Sequence, residues 1–157
     1  MEENEYRRMY RAAVPTRCVF EKGILARRCA CPHARRHNLA EREALACESA
    51  AGRARCEAWL ALLRKKAVFA LQLHEPSQTL PHAKEIKVQV GGLLGLAECL
   101  SAAPEGGTWL VDGRVEDIHG LLAAAGARFG GLEEAPFDEI MRAVVHFRAR
   151  RRRPGRR

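Results

Sequence analysis

The chain of 157 residues contains no stretch near the roughly 18 uninterrupted apolar residues that a membrane span requires, which points to a soluble or peripheral protein. It has only nine aromatic residues, most of them placed like core residues, so it offers few platforms on which nucleic-acid bases could stack. No Cys-x2-Cys knuckle is present, and that excludes the short zinc-finger patterns, which draw two ligands from one turn. The regular cysteine run of the bacterial ferredoxins is missing too. No Ser/His/Asp set and no paired carboxylates stand in a context that suggests catalysis, so no enzymatic activity is expected. Gly91-Gly92-x-x-Gly95 lacks the Lys-Ser/Thr of a phosphate loop and reads as a turn with close packing. The opening Met1-Glu2-Glu3-Asn4-Glu5 is acidic where a secretory signal is basic, and the expected compartment is the reducing cytoplasm.

Cysteine, in contrast, is concentrated. Five of the six fall between Cys18 and Cys56, as Cys18-x10-Cys29-x-Cys31-x15-Cys47-x8-Cys56. Thiols crowded together in a reducing compartment point to metal or redox chemistry rather than to disulfides. Four of them, Cys18, Cys31, Cys47 and Cys56, are expected to hold one metal centre, with Cys29 the alternative to Cys31. Long, irregular spacings suit a [4Fe–4S] cluster, whose ligands can come from separate segments; zinc is the alternative. Cys31 precedes Pro32, a residue favoured in the first turn of a helix, so Cys31 is expected at an N-cap where the helix dipole lowers a thiol's pKa. Cys99 reads as a buried core thiol. His33 and His37 leave a mixed Cys/His zinc site open, but read more simply as exposed helix residues.

The expected fold is mainly α: a small helical domain with a cysteine-bound metal centre near its N-terminal end. The domain covers 1–147, with a cluster-binding part at 15–73 and a helical remainder at 86–147. Residues 1–16 read as one helical turn or an arm. A helix is expected from Pro32 to Cys47, with a possible break at the capping-box pattern Asn38-Leu39-Ala40-Glu41. Ser49 is a candidate cap for a helix over 50–73, where Cys56, Leu60, Leu63, Ala67 and Ala70 recur at helical spacing. Ile86 to Val90 alternates like a strand but has no partner strand, so it is extended or the first turn of a helix reaching Leu100. Pro104 to Gly107 breaks that helix. Val115, Ile118, Leu121, Leu122 and Ala125 mark another, ended by Gly126 or Gly130-Gly131. Glu116, Asp117 and His119 at its start are better explained by the helix dipole than by a hard metal site. Pro136 opens the last helix, with Phe137, Ile140, Met141, Val144 and Phe147 inward.

Charge is divided unevenly. The formal net charge is +8, yet residues 148–157 alone carry seven arginines and no acid, leaving +1 for residues 1–147. Residues 17–56 sum to +5 and residues 57–147 to −4, so basic charge collects around the cysteines and at the tail. Arg17, Arg27, Arg28, Arg35, Arg36, Arg53 and Arg55 are placed to favour thiolates, or else are solvated surface residues. The tail reads as a flexible solubilising segment or as a contact for nucleic acid, anionic lipid or an acidic protein.

Four stretches carry a resemblance: Pro15-Thr16-Arg17-Cys18-Val19-Phe20, Leu39-Ala40-Glu41-Arg42-Glu43, Pro81 to Gln89, and Gly91-Gly92-Leu93-Leu94-Gly95-Leu96. They resemble small cysteine-containing proteobacterial proteins associated with nitrogen-fixation and Rnf-type electron-transport genes, over most of residues 15–147. The cysteines at 18, 31, 47 and 56 match that pattern, whereas the one at 29 is not fixed in it and the arginine tail is peculiar to this chain. The resemblance implies an accessory iron–sulfur protein of a membrane-bound, ferredoxin-reducing complex, without enzymatic activity. The function expected is electron transfer or structural support on the cytoplasmic face of a redox complex. Its partners would be protein subunits, with possible peripheral contact at the inner membrane and no small-molecule substrate. The alternative is a zinc-stabilised nucleic-acid-binding module that uses the basic tail.

Overall fold

The structure is a computed structural model describing residues 3–13 and 16–148. The arginine tail beyond Arg148, and every expectation attached to it, lies outside the described residues. The described chain is mainly helical, as the sequence predicts, with six α-helices. In chain order these residues form α1 (Glu3–Ala13), α2 (Glu21–Leu25), β1 (Ala34–Leu39), β2 (Arg42–Cys47), α3 (Ala50–Ala70), α4 (His82–Ser101), β3 (Leu110–Val111), β4 (Arg114–Val115), α5 (Ile118–Phe129) and α6 (Phe137–His146). No helix among them is long and apolar enough to cross a membrane.

The helices α3 to α6 follow from local rules. Ser49 caps α3 by accepting from Gly52 N–H, and Asp117 caps α5 by accepting from Gly120 N–H, so the acid there serves the helix start. Gly130, at φ 75°, ends α5 in the left-handed conformation that glycine adopts without penalty. Pro136 opens α6, and Pro104–Gly106 forms a single 3₁₀ turn after α4. Leu63, Leu93, Leu96, Leu121, Leu122 and Ile140 are fully buried where the four helices meet. Trp59 stacks on Phe137 with ring centroids 5.5 Å apart. The main core is a continuous cluster running in sequence from Phe20 to Ile140, and Ala44 is buried apart from it against Leu39 and Ala46.

Three expectations are corrected here. Residues 34–47 are an antiparallel hairpin rather than a helix, pairing Ala34 with Cys47 and Leu39 with Arg42. Ala40, within the apparent capping box, is the first of two loop residues and carries φ 54°, a sign found at that position of primed hairpin turns. Helix propensity in this Ala- and Leu-rich stretch is overridden by long-range pairing, since Leu45 and Cys47 bond to the chain near Cys18. Residues 3–13 form a helix of three turns, not one. Gly91, Gly92 and Gly95 are buried within α4 and not in a turn; Ile86 to Val90 takes the helical one of its two readings, one turn into that helix.

Close packing at those glycines, however, is as the sequence suggests. A Cβ on Gly91 would lie 2.8 Å from the Cα of Val144, and one on Gly95 would lie 3.0 Å from the Cα of Ile140. The bare backbone of α4 lets α6 come down on it. Gly126, inside α5, has open space where its Cβ would go. Gly91→Ala should therefore lose about 1–3 kcal/mol through overpacking against backbone that cannot yield. Gly126→Ala should gain roughly 0.5–1 kcal/mol from reduced freedom of the unfolded chain. Urea unfolding of both variants checks the opposite signs.

Candidate metal centre

Cys18, Cys31, Cys47 and Cys56 line one cavity, together with Val19, Phe20, Ala34, Arg53 and Ile118. Each thiol is brought there by a different part of the chain.

Cys18 is placed by strand-like pairing. Arg17 pairs antiparallel with Ala46, Cys18 N–H donates to the Leu45 carbonyl at 2.9 Å, and Cys47 N–H donates to the Thr16 carbonyl at 2.7 Å. The segment 16–18 thus acts as a third strand beside β2. Cys18 lies opposite Leu45, two residues from Cys47, so strand alternation puts Cys18 and Cys47 on one face. Ala34, the register partner of Cys47 on β1, shares that face and the cavity.

Cys31 is fixed by a different pairing. Cys29 bridges parallel to Val115, Ala30 N–H donates to the Val115 carbonyl at 2.9 Å, and Ile118 N–H donates to the Ala30 carbonyl at 3.1 Å. Cys31 then opens a turn closed by Ala34 N–H on its carbonyl at 3.2 Å. Pro32 occupies the second position of that turn, another place where its fixed φ is favoured. The expected helix N-cap at Cys31 is therefore absent. Its thiol is pushed up by burial, opposed by the backbone N–H groups of His33 and His119. Backbone donors do reach this sulfur, but from a turn and from α5.

Cys47 ends β2 and its thiol donates to the Ser49 carbonyl at 3.3 Å. Cys56 sits in the second turn of α3, whose start Ser49 caps. Its thiol is pushed up to about 12, first by burial and then by the neighbouring Cys18, Cys31 and Cys47 thiols, with Arg55 pulling the other way. Burial likewise raises Cys18 to about 11, against the Phe20 backbone N–H. The three thiols that act on Cys56 come from three other chain segments, so the shift reports their convergence near it.

Cys29 is buried, does not line the cavity, and is raised to about 12 mainly by burial. Of the two candidates the cavity takes Cys31. Cys99 differs from expectation: it is half-buried rather than a core thiol, and its sulfur donates to Glu139 on α6 at 3.3 Å. Neither histidine lies on a helix. His37 is exposed on β1, while His33 is half-buried in the turn after Cys31, its ring 4.3 Å from that of His119. Most of the arginines expected to balance thiolate charge are paired with carboxylates instead: Arg17 with Glu21, Arg35 with Glu48, Arg36 with Glu43 and Arg53 with Glu57. Arg53 alone of them also lines the cavity.

The donor chemistry suits a thiolate-held centre, with four sulfurs and no carboxylate in the lining. The shared void is about 20 Å³, close to one water-sized sphere, so a multi-iron core fits only with the thiols turned outward. All four are half-buried rather than locked in the core. Among the described residues no three His, Cys, Asp or Glu side chains are gathered closely enough for one metal ion. Four thiolates on a zinc would each sit about 2.3 Å from it and so nearly touch one another.

Sequence reasoning passed over a polar ligature beneath the site. Gln89 and Glu85, one turn apart on the apolar helix α4, are both buried. Gln89 accepts from Gly23 N–H at 3.1 Å and donates to Glu85 at 2.9 Å, while Glu85 pairs with Arg64 of α3. Two polar residues spaced i, i+4 within an apolar run were the available signal.

The raised thiols have a direct consequence. In the metal-free protein Cys18, Cys29 and Cys56 should remain protonated through pH 8, since only well above it would they give up their protons. Iodoacetamide should then modify them at least ~10-fold more slowly than a free cysteine of ordinary pKa. Mass spectrometry of timed digests checks this, and rapid labelling of Cys56 at pH 7 would contradict the burial described. The chain matches no protein-family model, no curated protein and no solved structure, so what it does has to be argued from these residues.

Proposed function

We propose that the protein is an iron–sulfur protein acting in electron transfer, or in structural support, as an accessory subunit of a redox complex. One observation carries this reading: four cysteines from four separate chain segments line a single cavity. Their mutual effect on Cys56 is unfavourable if all four are to ionise, and a bound metal core would offset it.

Cys18, Cys31, Cys47 and Cys56 would hold a [4Fe–4S] cluster, which supplies one-electron transfer when bound. The long, irregular spacing of the four cysteines favours a multi-iron core over a single zinc. Val19, Phe20 and Ile118 exclude water from the sulfur side, and Phe20 N–H with the N–H groups of His33 and His119 are donors toward sulfur. Burial and such donors are the levers by which a protein sets a cluster's potential. With all four thiolates supplied by the chain, no open metal position remains for a substrate, so the reading is non-catalytic. Partner subunits in the cytoplasm, at the inner-membrane face of a ferredoxin-reducing assembly, are the setting proposed.

Protein purified without oxygen should be brown and contain iron and acid-labile sulfide in equal amounts. Cys18→Ser, Cys31→Ser, Cys47→Ser and Cys56→Ser should each lose most of that content, whereas Cys29→Ser and Cys99→Ser should keep it. Colourless protein carrying stoichiometric zinc, or loss of iron on Cys29→Ser but not on Cys31→Ser, would overturn the assignment.

A further inference from the structure

At the opposite end of α3 from Cys56 the surface is apolar without an evident partner. Phe69 is 94% exposed, the most exposed large hydrophobic side chain among the described residues. Beside it, α6 turns Phe137, Ile140 and Val144 to the core, while Met141 is half-buried at the core's edge and Val145 is 42% exposed. Between the two helices lies an open hollow of about 480 Å³ floored by Ala70, Met141 and Val145. An aromatic side chain left this open beside a hollow with an apolar floor and a charged rim marks an interaction surface rather than a lone surface hydrophobe.

We propose that this face is where two copies of the chain associate, packing α3 and α6 of one against α3 and α6 of the other about a two-fold axis. Each Phe69 enters the hollow of the partner copy. An isologous contact requires a patch that is complementary to itself, and here the projecting ring and the hollow that accepts a ring lie side by side. The charges on the rim obey the same rule. Asp138 stands there with Lys66 and Arg142, and neither Asp138 nor Arg142 forms an ion pair within its own chain among the described residues. A two-fold axis brings the acid of one copy to the bases of the other. Charge argues against the chain's own arginine-rich segment as the occupant, because it would meet Lys66 and Arg142 with the same sign. Two helices from each copy form a four-helix layer, an arrangement that needs only the residues already present.

Sedimentation equilibrium of the full chain tests this without reference to the metal centre. From low-micromolar to several-hundred-micromolar protein, the mass should rise from that of one chain, 17.5 kDa, toward twice that value. Phe69→Glu and Val145→Glu should remain single chains across the range, weakening association at least tenfold. Their circular dichroism and melting should match the parent for Phe69→Glu, since that side chain touches solvent in the single chain. Asp138→Arg should loosen the dimer, and adding Arg142→Asp in the same chain should restore it. A parent chain that stays single at every concentration would overturn the proposal, as would a dimer indifferent to Phe69→Glu.

Discussion

Leu45 turns both of its backbone polar groups to the segment that carries Cys18. Its carbonyl accepts from Cys18 N–H, and its N–H donates to the buried carboxylate of Glu21 at 3.0 Å. This grip decides the fate of residues 34–47. Without it the stretch is rich in good helix formers; with it, β2 is pinned as the middle strand between β1 and the 16–18 segment. A buried carboxylate is costly unless its oxygens are satisfied, and Glu21 has both the Leu45 N–H and Arg17. Replacing that acid would leave Leu45 N–H buried without its acceptor, and Cys18 and Cys47 would lose their common frame.

A second tether sets the same assembly on the helical core. Gly23 of α2 donates to Gln89, which is joined through Glu85 to Arg64 on α3. The loop between Cys18 and Cys29 is thereby fixed to two helices by hydrogen bonds centred on two buried side chains, Glu85 and Gln89. Cys56 rides on α3 and Cys31 is carried by the pairing with Val115, so all four thiols answer to one rigid body. The site stands on the N-terminal end of α3, while the apolar face at Phe69 stands near its other end. A single helix thus separates the proposed cofactor from the proposed contact between copies.

The helical remainder was legible because its signals are local. Ser49, Asp117, Gly130 and Pro136 act within one turn of where they stand, and the apolar spacing of α3, α5 and α6 needs no knowledge of the rest. Cys31 lines the cavity from a turn, and not from the helix start expected for it. Pro32 is compatible with both a helix start and a β-turn, and only the Val115 pairing, far along the chain, decides between them. The hairpin was illegible for the same cause: Leu45 and Cys47 spend their backbone hydrogen bonds on residues about 30 positions away. Cys99 was misplaced because an apolar neighbourhood does not reveal which way one turn of helix faces, and Glu139 on α6 supplies its partner. Ile118 joins the cavity although nothing near it in sequence marks a site.

The proposed cofactor requires four sulfurs to meet at one inorganic core. Iron-edge X-ray absorption on anaerobically purified protein reads that core most directly. The account predicts iron surrounded by sulfur alone, with a second iron shell beyond it. Iron bound by nitrogen and oxygen, or a zinc edge with sulfur at about 2.3 Å in place of iron, would contradict it.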